Sequence, residues 1–304
     1  VHDKADYLKE IEQWVYEHDV EISETCARLL NFSGPAKIAM GELMLKACFG
    51  KKSPHFNGYD HHTLKTHGAW FSAESWMSVW HQCSQPNEWR LMRMWVYHNT
   101  RHWIGVSTLP PLGRRLPDLA SFKPVVPRDD SFGERMKTAY PNMCIAPIEA
   151  DAASLACYLK KYSKEPGKRK VGLLSMACSR HNGGGVEQGR GAQEENLWRR
   201  SSLSGHAIPD WGNEPPPVIV HPTVFVFRGP EELGYPFMSE AQELVVISAA
   251  ASKSPEVVIS RDDEKGLHAA YKSPLSRKEM GHLVRRIVRT ATQFCDEVVL
   301  SALG

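Results

Sequence analysis

Apolar residues recur with a helical period through the first third of the chain. Five segments show this 3.6-residue spacing: residues 8–15, 22–30, 38–45, 76–80 and 89–96. Ser72 stands just before the fourth segment, and we expect it to cap that helix. Five prolines then interrupt residues 109–127. The pattern predicts a helical N-terminal region over residues 1–122 that ends in an irregular connection.

From residue 143 the pattern changes to short apolar runs that alternate with helical stretches. Runs of this length predict strands at residues 143–146, 171–177, 218–227, 244–248 and 297–301. The sequence also predicts a helix over residues 152–161 and a longer one that begins at a capping box of Ser276 and Glu279. Strands that alternate with helices indicate a three-layer α/β/α domain, which we assign to residues 123–304.

A candidate ligand-binding group of glycines and polar residues lies between the predicted strand 171–177 and a predicted helix at 196–203. It consists of three consecutive glycines and, seven residues later, a glutamine with two glutamates: Gly183, Gly184, Gly185, Gln193, Glu194 and Glu195. Glycine has no Cβ, so such a loop lets a ligand approach the main chain and can present successive N–H groups to an anion. Adjacent carboxylates repel each other, so one of them can hold a proton near neutral pH and serve as a general acid.

Each of these features also has an ordinary structural explanation. Glutamates are common in the first turn of a helix, and three glycines can form a flexible loop without a ligand. Arg180 and His181 follow Cys178 closely, but nothing supplies an orienting third group, so we interpret Cys178 as lining the loop rather than as a nucleophile. The many histidines and tryptophans of the N-terminal half fit no zinc spacing, and we expect them in the core or on the surface.

The glycines and the Gln-Glu-Glu sequence, at this spacing, resemble the signature of poly(ADP-ribose) glycohydrolases. The surrounding residues 173–203 are similar to the microbial-type branch of that family, and the resemblance extends over about residues 140–304. It implies an α/β fold with a macrodomain-like mixed sheet. It also implies hydrolysis of the ribose–ribose glycosidic bonds of poly(ADP-ribose), which releases ADP-ribose.

The resemblance further implies a role for each residue of the motif. Glu195 would protonate the leaving oxygen and then activate water, while Glu194 would fix the ribose hydroxyls. Gln193 would orient the two carboxylates. The remaining residues would bind the ribose and diphosphate of the substrate: Gly183, Gly184, Gly185, Val186, Cys178 and Asn182. Neither a metal nor a cofactor is expected, because protonation and charge stabilisation supply the chemistry.

The chain departs from the family at two points. Members carry Asn at the end of the strand before the glycines, where this chain has Ser175 and Cys178. They also continue, from the position of Gly304, into a second phosphate-binding loop, which we expect to be absent here or to lie beyond this sequence. Two alternatives therefore stay open: a macrodomain-like reader that binds ADP-ribose without turnover, and a hydrolase of mono-ADP-ribose. The intact pair Glu194 and Glu195 opposes the reader, because binding alone does not require two acids.

Composition limits the partners and the compartment. The formal net charge of the 304 residues is only +2, which gives no electrostatic reason to expect direct nucleic-acid binding. The seven cysteines have no paired spacing, which favours a reducing intracellular compartment, cytoplasm or nucleus. No apolar run of about 18 residues occurs, so neither a transmembrane helix nor a signal peptide is predicted. We expect a monomer that acts on poly(ADP-ribose) or an ADP-ribosylated protein and does not bind membranes.

Overall fold

The computed structural model describes residues 73–84, 86–105, 119, 122–127, 145–162, 168–179, 181–206, 218–251, 256–262 and 266–301. The helices predicted within residues 8–45 and the cap at Ser72 lie outside these residues. The two predicted tryptophan-rich helices are confirmed as α1, Ala73–Trp80, and α2, Pro86–Gly105. Trp76 and Trp95 are buried in the packing of these helices, as predicted for core residues.

The second part of the chain combines helices with strands, as predicted. In chain order its elements are α3 (Ala152–Lys161), β1 (Val171–Met176), α4 (Gln193–Arg200), β2 (Val218–Arg228), β3 (Phe237–Ala249), β4 (Val257–Asp262), β5 (Gly266–Tyr271), α5 (Pro274–Phe294) and β6 (Glu297–Val299). Among the described residues, β2 to β5 follow one another without an α-helix between them. Of the strand predicted at residues 143–146, the described residues Ile145 and Ala146 are irregular.

Four of the described strands form one mixed sheet in the order β2–β3–β1–β6. Strand β1 runs parallel to β3 and β6, with Leu173 opposite both Val246 and Val299. Strand β2 is antiparallel to β3. Because β1 has neighbours on both sides, its carboxyl end, from which the glycine loop begins, is held at the centre of the sheet edge.

Helices cover both faces of this sheet. The side chains of one face pack against Ala156 of α3 and Leu197 of α4. Those of the other face pack against Ile287 and Ala291 of α5. The predicted three-layer α/β/α arrangement around a mixed sheet is therefore confirmed in the described residues. None of the helices described is both long and apolar enough to cross a membrane.

Two helices begin earlier than the sequence predicts. Helix α4 starts at Gln193, so the two glutamates lie within its first turn rather than before it. Helix α5 starts at Pro274, and the side chain of Ser273 accepts a hydrogen bond from the Ser276 N–H. The predicted capping box at Ser276 is therefore wrong: proline at the first helical position has no N–H to satisfy, which favours the earlier start.

Strands β4 and β5 were not predicted at all. They pair with each other in an antiparallel hairpin separate from the main sheet. The apolar side chains of Val257, Val258 and Ile259 are exposed on this hairpin. Three consecutive exposed apolar residues show no alternation with polar ones, which explains why the period-2 pattern of a strand is missing there.

Helix α2 packs on α4 and on the segment that follows it. Thr100 Oγ1 donates a hydrogen bond to the Arg199 carbonyl at 2.6 Å, and Arg101 donates one to the Ser204 carbonyl at 2.8 Å. Both contacts join residues about one hundred positions apart in the chain. The domain boundary at residue 122 stays a prediction, but α2 takes part in holding α4 in place.

Candidate functional site

The glycine loop follows β1 and leads into a single 3-10 turn, Val186–Gln188. Gly183 and Gly184 have φ angles of 78° and 57°, in the left-handed region that favours glycine. A Cβ on Gly183 would lie 2.7 Å from the ring of Trp198, and one on Gly184 would lie 2.5 Å from Oε1 of Glu195. Glycine is therefore required at both positions by backbone conformation and by close contact with α4.

The side chain of Gln193 fastens the start of α4 to the end of β1. Its Oε1 accepts a hydrogen bond from the Met176 N–H at 2.9 Å. Its Nε2 donates one to the Leu174 carbonyl, also at 2.9 Å. This pair of contacts imitates the pairing of a neighbouring strand, and it places the next two residues of α4 directly beside the glycine loop.

Glu194 is buried and bound by two backbone N–H groups. It is only 4% exposed, and its Oε2 accepts from Cys178 at 2.7 Å while its Oε1 accepts from Gly183 at 2.9 Å. Burial raises the pKa of Glu194 to about 7, which the two N–H groups oppose and the charge of neighbouring Glu195 reinforces. The carboxyl is thus fixed in orientation and titrates near neutral pH.

Glu195 is also buried, but it is less fully bound. It is 6% exposed, and its Oε1 accepts from the Gly185 N–H at 2.8 Å. No hydrogen bond to Oε2 of Glu195 occurs within the part of the chain that is described. A Cβ on Gly184 would lie 2.5 Å from an oxygen of Glu195 and 3.1 Å from one of Glu194. Both carboxyls therefore contact the same glycine.

The N–H groups of the glycine loop are all engaged within the protein. Those of Gly183 and Gly185 donate to the two carboxylates, as given above. The Gly184 N–H donates to the His181 carbonyl at 2.9 Å, and the Val186 N–H donates to the Gly183 carbonyl at 3.1 Å. In this structure the loop holds the catalytic candidates in place, and it does not present the free N–H groups that the sequence suggested.

The other predicted binding residues surround the same loop. Cys178 and Asn182 are exposed at its rim, whereas Val186 is buried beneath it. Ser175, at a position where the family carries Asn, is 1% exposed, and its Oγ has no hydrogen-bond partner. The structure thus brings every predicted site residue to one end of β1. Their individual roles in substrate binding remain predictions.

A polar network that the sequence does not predict connects α2, α4 and the segment after β2. Arg93 of α2 donates two hydrogen bonds to Glu231, each at 2.8 Å. Tyr235 donates to the same carboxylate at 2.6 Å and accepts from Arg199 Nε at 3.0 Å. Burial, the largest effect, would raise the pKa of Glu231, but the hydrogen bonds from Arg93 and Tyr235 and the charges of Arg93 and Arg199 together outweigh it, so the pKa is lowered. Arg93 and Glu231 are 138 positions apart, so no motif spacing could have indicated the pair.

The described residues contain no group of three or more His, Cys, Asp or Glu side chains arranged to hold a metal ion. His81 and Cys83, which lie close together in the sequence, are exposed and half-buried respectively. The expectation that the chemistry needs no metal stays a prediction.

Comparison with known proteins confirms the resemblance for the segment that forms the site. Residues 142–209 match the family model described as microbial-type PARG, catalytic domain. This segment contains α3, β1, the glycine loop and α4, and hence all of the predicted site residues. The family resemblance drawn from the glycines and the two glutamates is therefore supported by a match over the same residues.

Solved structures from Thermomonospora curvata are also similar to the chain. Poly(ADP-ribose) glycohydrolase bound to the inhibitor ADP-HPD is 18% identical, over 66% of this chain and 74% of its own, with a TM-score of 0.44. Another structure of poly(ADP-ribose) glycohydrolase is 17% identical, over 66% of this chain and 75% of its own, with a TM-score of 0.42. No curated protein matches the chain.

Proposed function

We propose that this protein hydrolyses the ribose–ribose glycosidic bonds of poly(ADP-ribose) and releases ADP-ribose. The observation that carries the proposal is the pair of buried carboxyls, Glu194 and Glu195, which lie against Gly184. The pKa of Glu194 is raised to about 7. Glycosidic bonds break through an oxocarbenium-like transition state after a carboxylic acid protonates the leaving oxygen. The family match over residues 142–209 supports the same class of reaction.

Glu195 is the general acid and base of this proposal. Its Oε1 is fixed by the Gly185 N–H, while its Oε2 accepts no hydrogen bond from the described residues. The proton moves from Glu195 to the leaving ribose oxygen as the glycosidic bond breaks. The resulting carboxylate then takes a proton from the water that forms the new bond to the anomeric carbon. One carboxyl therefore serves both halves of the reaction.

Glu194 orients the sugar beside the reacting carbon. Two N–H groups hold its carboxyl rigidly, so its oxygens can accept hydrogen bonds from ribose hydroxyls in a fixed direction. Burial raises the pKa of Glu194 to about 7, so near neutral pH part of the protein carries a proton on this carboxyl, next to the proposed acid.

The loop residues form the walls of the proposed sugar site. Gly183, Gly184 and Gly185 have no Cβ, so the loop lies directly against Trp198, Glu195 and Arg190 and forms a wall beside the carboxyls. Cys178 and Asn182 lie exposed at the rim, where they can contact the rest of the substrate. Val186 and Gln193 hold the loop and helix α4 in position.

Product analysis on two substrates tests the proposal. The protein is incubated separately with automodified poly(ADP-ribose) polymerase and with a protein that carries single ADP-ribose groups. We expect the polymer to shorten and free ADP-ribose to accumulate in the first reaction. Release only from the singly modified protein would replace the proposal with mono-ADP-ribosyl hydrolysis. Binding of ADP-ribose without release from either substrate would replace it with a non-catalytic reader.

A further inference from the structure

Arg190 follows the glycine loop, and its side chain packs on the last of the three glycines. The stem of its side chain runs over Gly185: a Cβ on that glycine would lie 2.7 Å from Cγ and 2.9 Å from Nε of Arg190. The N–H of Gly185 is the group that holds Glu195. Arg190 therefore carries its positive charge beside the glycine whose N–H fixes the proposed acid.

The backbone of Arg190 is held firmly although its side chain is exposed. Its N–H donates to the Gly185 carbonyl at 3.1 Å, and its carbonyl accepts from Arg199 Nη1 at 2.7 Å. Arg199 is itself fully buried and bound to Tyr235. The exposed side chain therefore extends over Gly185 from an anchored backbone.

The charge of Arg190 is also available. Its side chain makes no hydrogen bond or ion pair with any residue of the described part of the chain. The N–H groups from Gly183 to Val186 are already engaged, so they leave an anionic ligand without donors. Two buried carboxyls would moreover repel such a ligand at close range.

We infer that Arg190 binds the diphosphate of the ADP-ribose unit whose ribose enters the site. The inference rests on the proposed function, since it takes the substrate to be an ADP-ribose polymer. A guanidinium forms two parallel hydrogen bonds to phosphate oxygens and keeps its charge at all physiological pH values. Arg190 thus supplies the contact to the diphosphate that the occupied loop N–H groups do not.

The test compares Arg190→Gln and Arg190→Lys with Arg285→Gln. Arg285 is an exposed arginine of α5, the helix on the opposite face of the sheet, so its substitution changes the net charge equally but far from the site. Calorimetric titration gives the affinities for ADP-ribose, inorganic pyrophosphate and adenosine. Steady-state kinetics on the polymer gives KM and kcat separately.

We expect Arg190→Gln to weaken ADP-ribose binding by about 10- to 100-fold, the range for losing a charge-assisted hydrogen bond. Pyrophosphate binding falls in parallel, adenosine binding does not change, and Arg190→Lys is intermediate. KM rises while kcat stays within about threefold, because the contact is equal in ground and transition states. Arg285→Gln behaves as the unsubstituted protein in every assay.

Two failures can be told apart. In the first, the unsubstituted protein hydrolyses the polymer, but Arg190→Gln binds ADP-ribose equally well, or Arg285→Gln weakens ADP-ribose binding as much as Arg190→Gln does. The role of Arg190 is then wrong and the proposed function stands. If the unsubstituted protein neither hydrolyses the polymer nor binds ADP-ribose, the proposed function is wrong. In that case the binding of pyrophosphate tests Arg190. If the unsubstituted protein binds pyrophosphate and Arg190→Gln does not, an anion site at Arg190 is supported. If the unsubstituted protein does not bind pyrophosphate, the inference is wrong.

Discussion

Gly184 is the residue on which the geometry of the two carboxyls depends most directly. Its φ of 57° strains any other residue, and a Cβ would come within 2.5 Å of Glu195. We expect Gly184→Ala to lower hydrolysis and ADP-ribose affinity together by at least tenfold, because both carboxyls must move. The matched control is Gly281→Ala on α5, where a Cβ would meet nothing closer than 3.8 Å. Equal activity of the two variants would remove Gly184 from the site.

The protonation of Glu194 makes a second prediction at this scale. Its pKa is about 7 in the folded protein against an ordinary value of 4.5, so the native state binds more protons than the unfolded state between these pH values. Stability contributed at this position therefore falls as the pH rises from 4.5 to 7. We therefore compare the free energy of unfolding of Glu194→Gln with that of the unsubstituted protein at each pH. We expect the difference to favour the variant more at pH 8 than at pH 4.5, and urea unfolding of both proteins at both pH values measures it. A pH-independent difference between the two proteins would contradict the raised pKa.

At the scale of elements, the sequence predicts the strand, the loop and the helix of the site, but not how they are supported. The apolar run of β1 and the three glycines are local signals, so they can be found without the fold. The attachment of Gln193 to Met176 and Leu174, and the early start of α4, depend on contacts that form only when the helix docks on β1. For this reason the helix start was predicted three residues too late.

The contact of α2 with the segment after β2 is testable through Arg93 and Glu231. Arg93→Met removes the ion pair and both hydrogen bonds from Arg93, and it leaves the Glu231 carboxylate with the hydrogen bond from Tyr235. We therefore expect it to destabilise the protein by about 2–3 kcal/mol, between the values for exposed and buried ion pairs. The double variant Arg93→Met/Glu231→Met should recover part of that loss, because no unpaired charge remains. Chemical denaturation of Arg93→Met, Glu231→Met and the double variant measures the coupling, and additive losses would show that the pair does not stabilise the fold.

At the scale of the whole molecule, the alternation of apolar runs with helical stretches is enough to predict the three layers. Each strand of the main sheet buries residues on two faces, and the resulting continuous apolar runs are visible in the sequence. The polar network of Arg93, Glu231 and Tyr235 is not visible, because its members come from elements far apart in the chain. Val257, Val258 and Ile259 of β4 are exposed one after another, so this strand lacks the alternation that would reveal it.

Two buried histidines make the stability of the whole fold sensitive to acid. Burial lowers the pKa values of His206 and His221 to about 4, and their rings lie 5.9 Å apart. The unfolded state binds more protons than the folded state from about pH 6.5 down to pH 4, so stability is lost over that range as the pH falls. From these pKa values the loss is about 2 kcal/mol per histidine by pH 5. Urea unfolding at pH 7 and pH 5 should show a smaller loss for His206→Gln/His221→Gln than for the unsubstituted protein, and an equal loss would refute the assignment.

The central claim is that Glu195 transfers the proton in the hydrolysis of poly(ADP-ribose), and the rate of ADP-ribose release by Glu195→Gln tests it most directly. Glutamine keeps the shape of the side chain and the contact with the Gly185 N–H, but it cannot donate the proton. We predict that the unsubstituted protein releases ADP-ribose from the polymer and that Glu195→Gln does so about 10²–10⁴ times more slowly. Its affinity for ADP-ribose, measured by calorimetry, should stay within a few-fold. Release by Glu195→Gln at a rate near that of the unsubstituted protein would contradict the account.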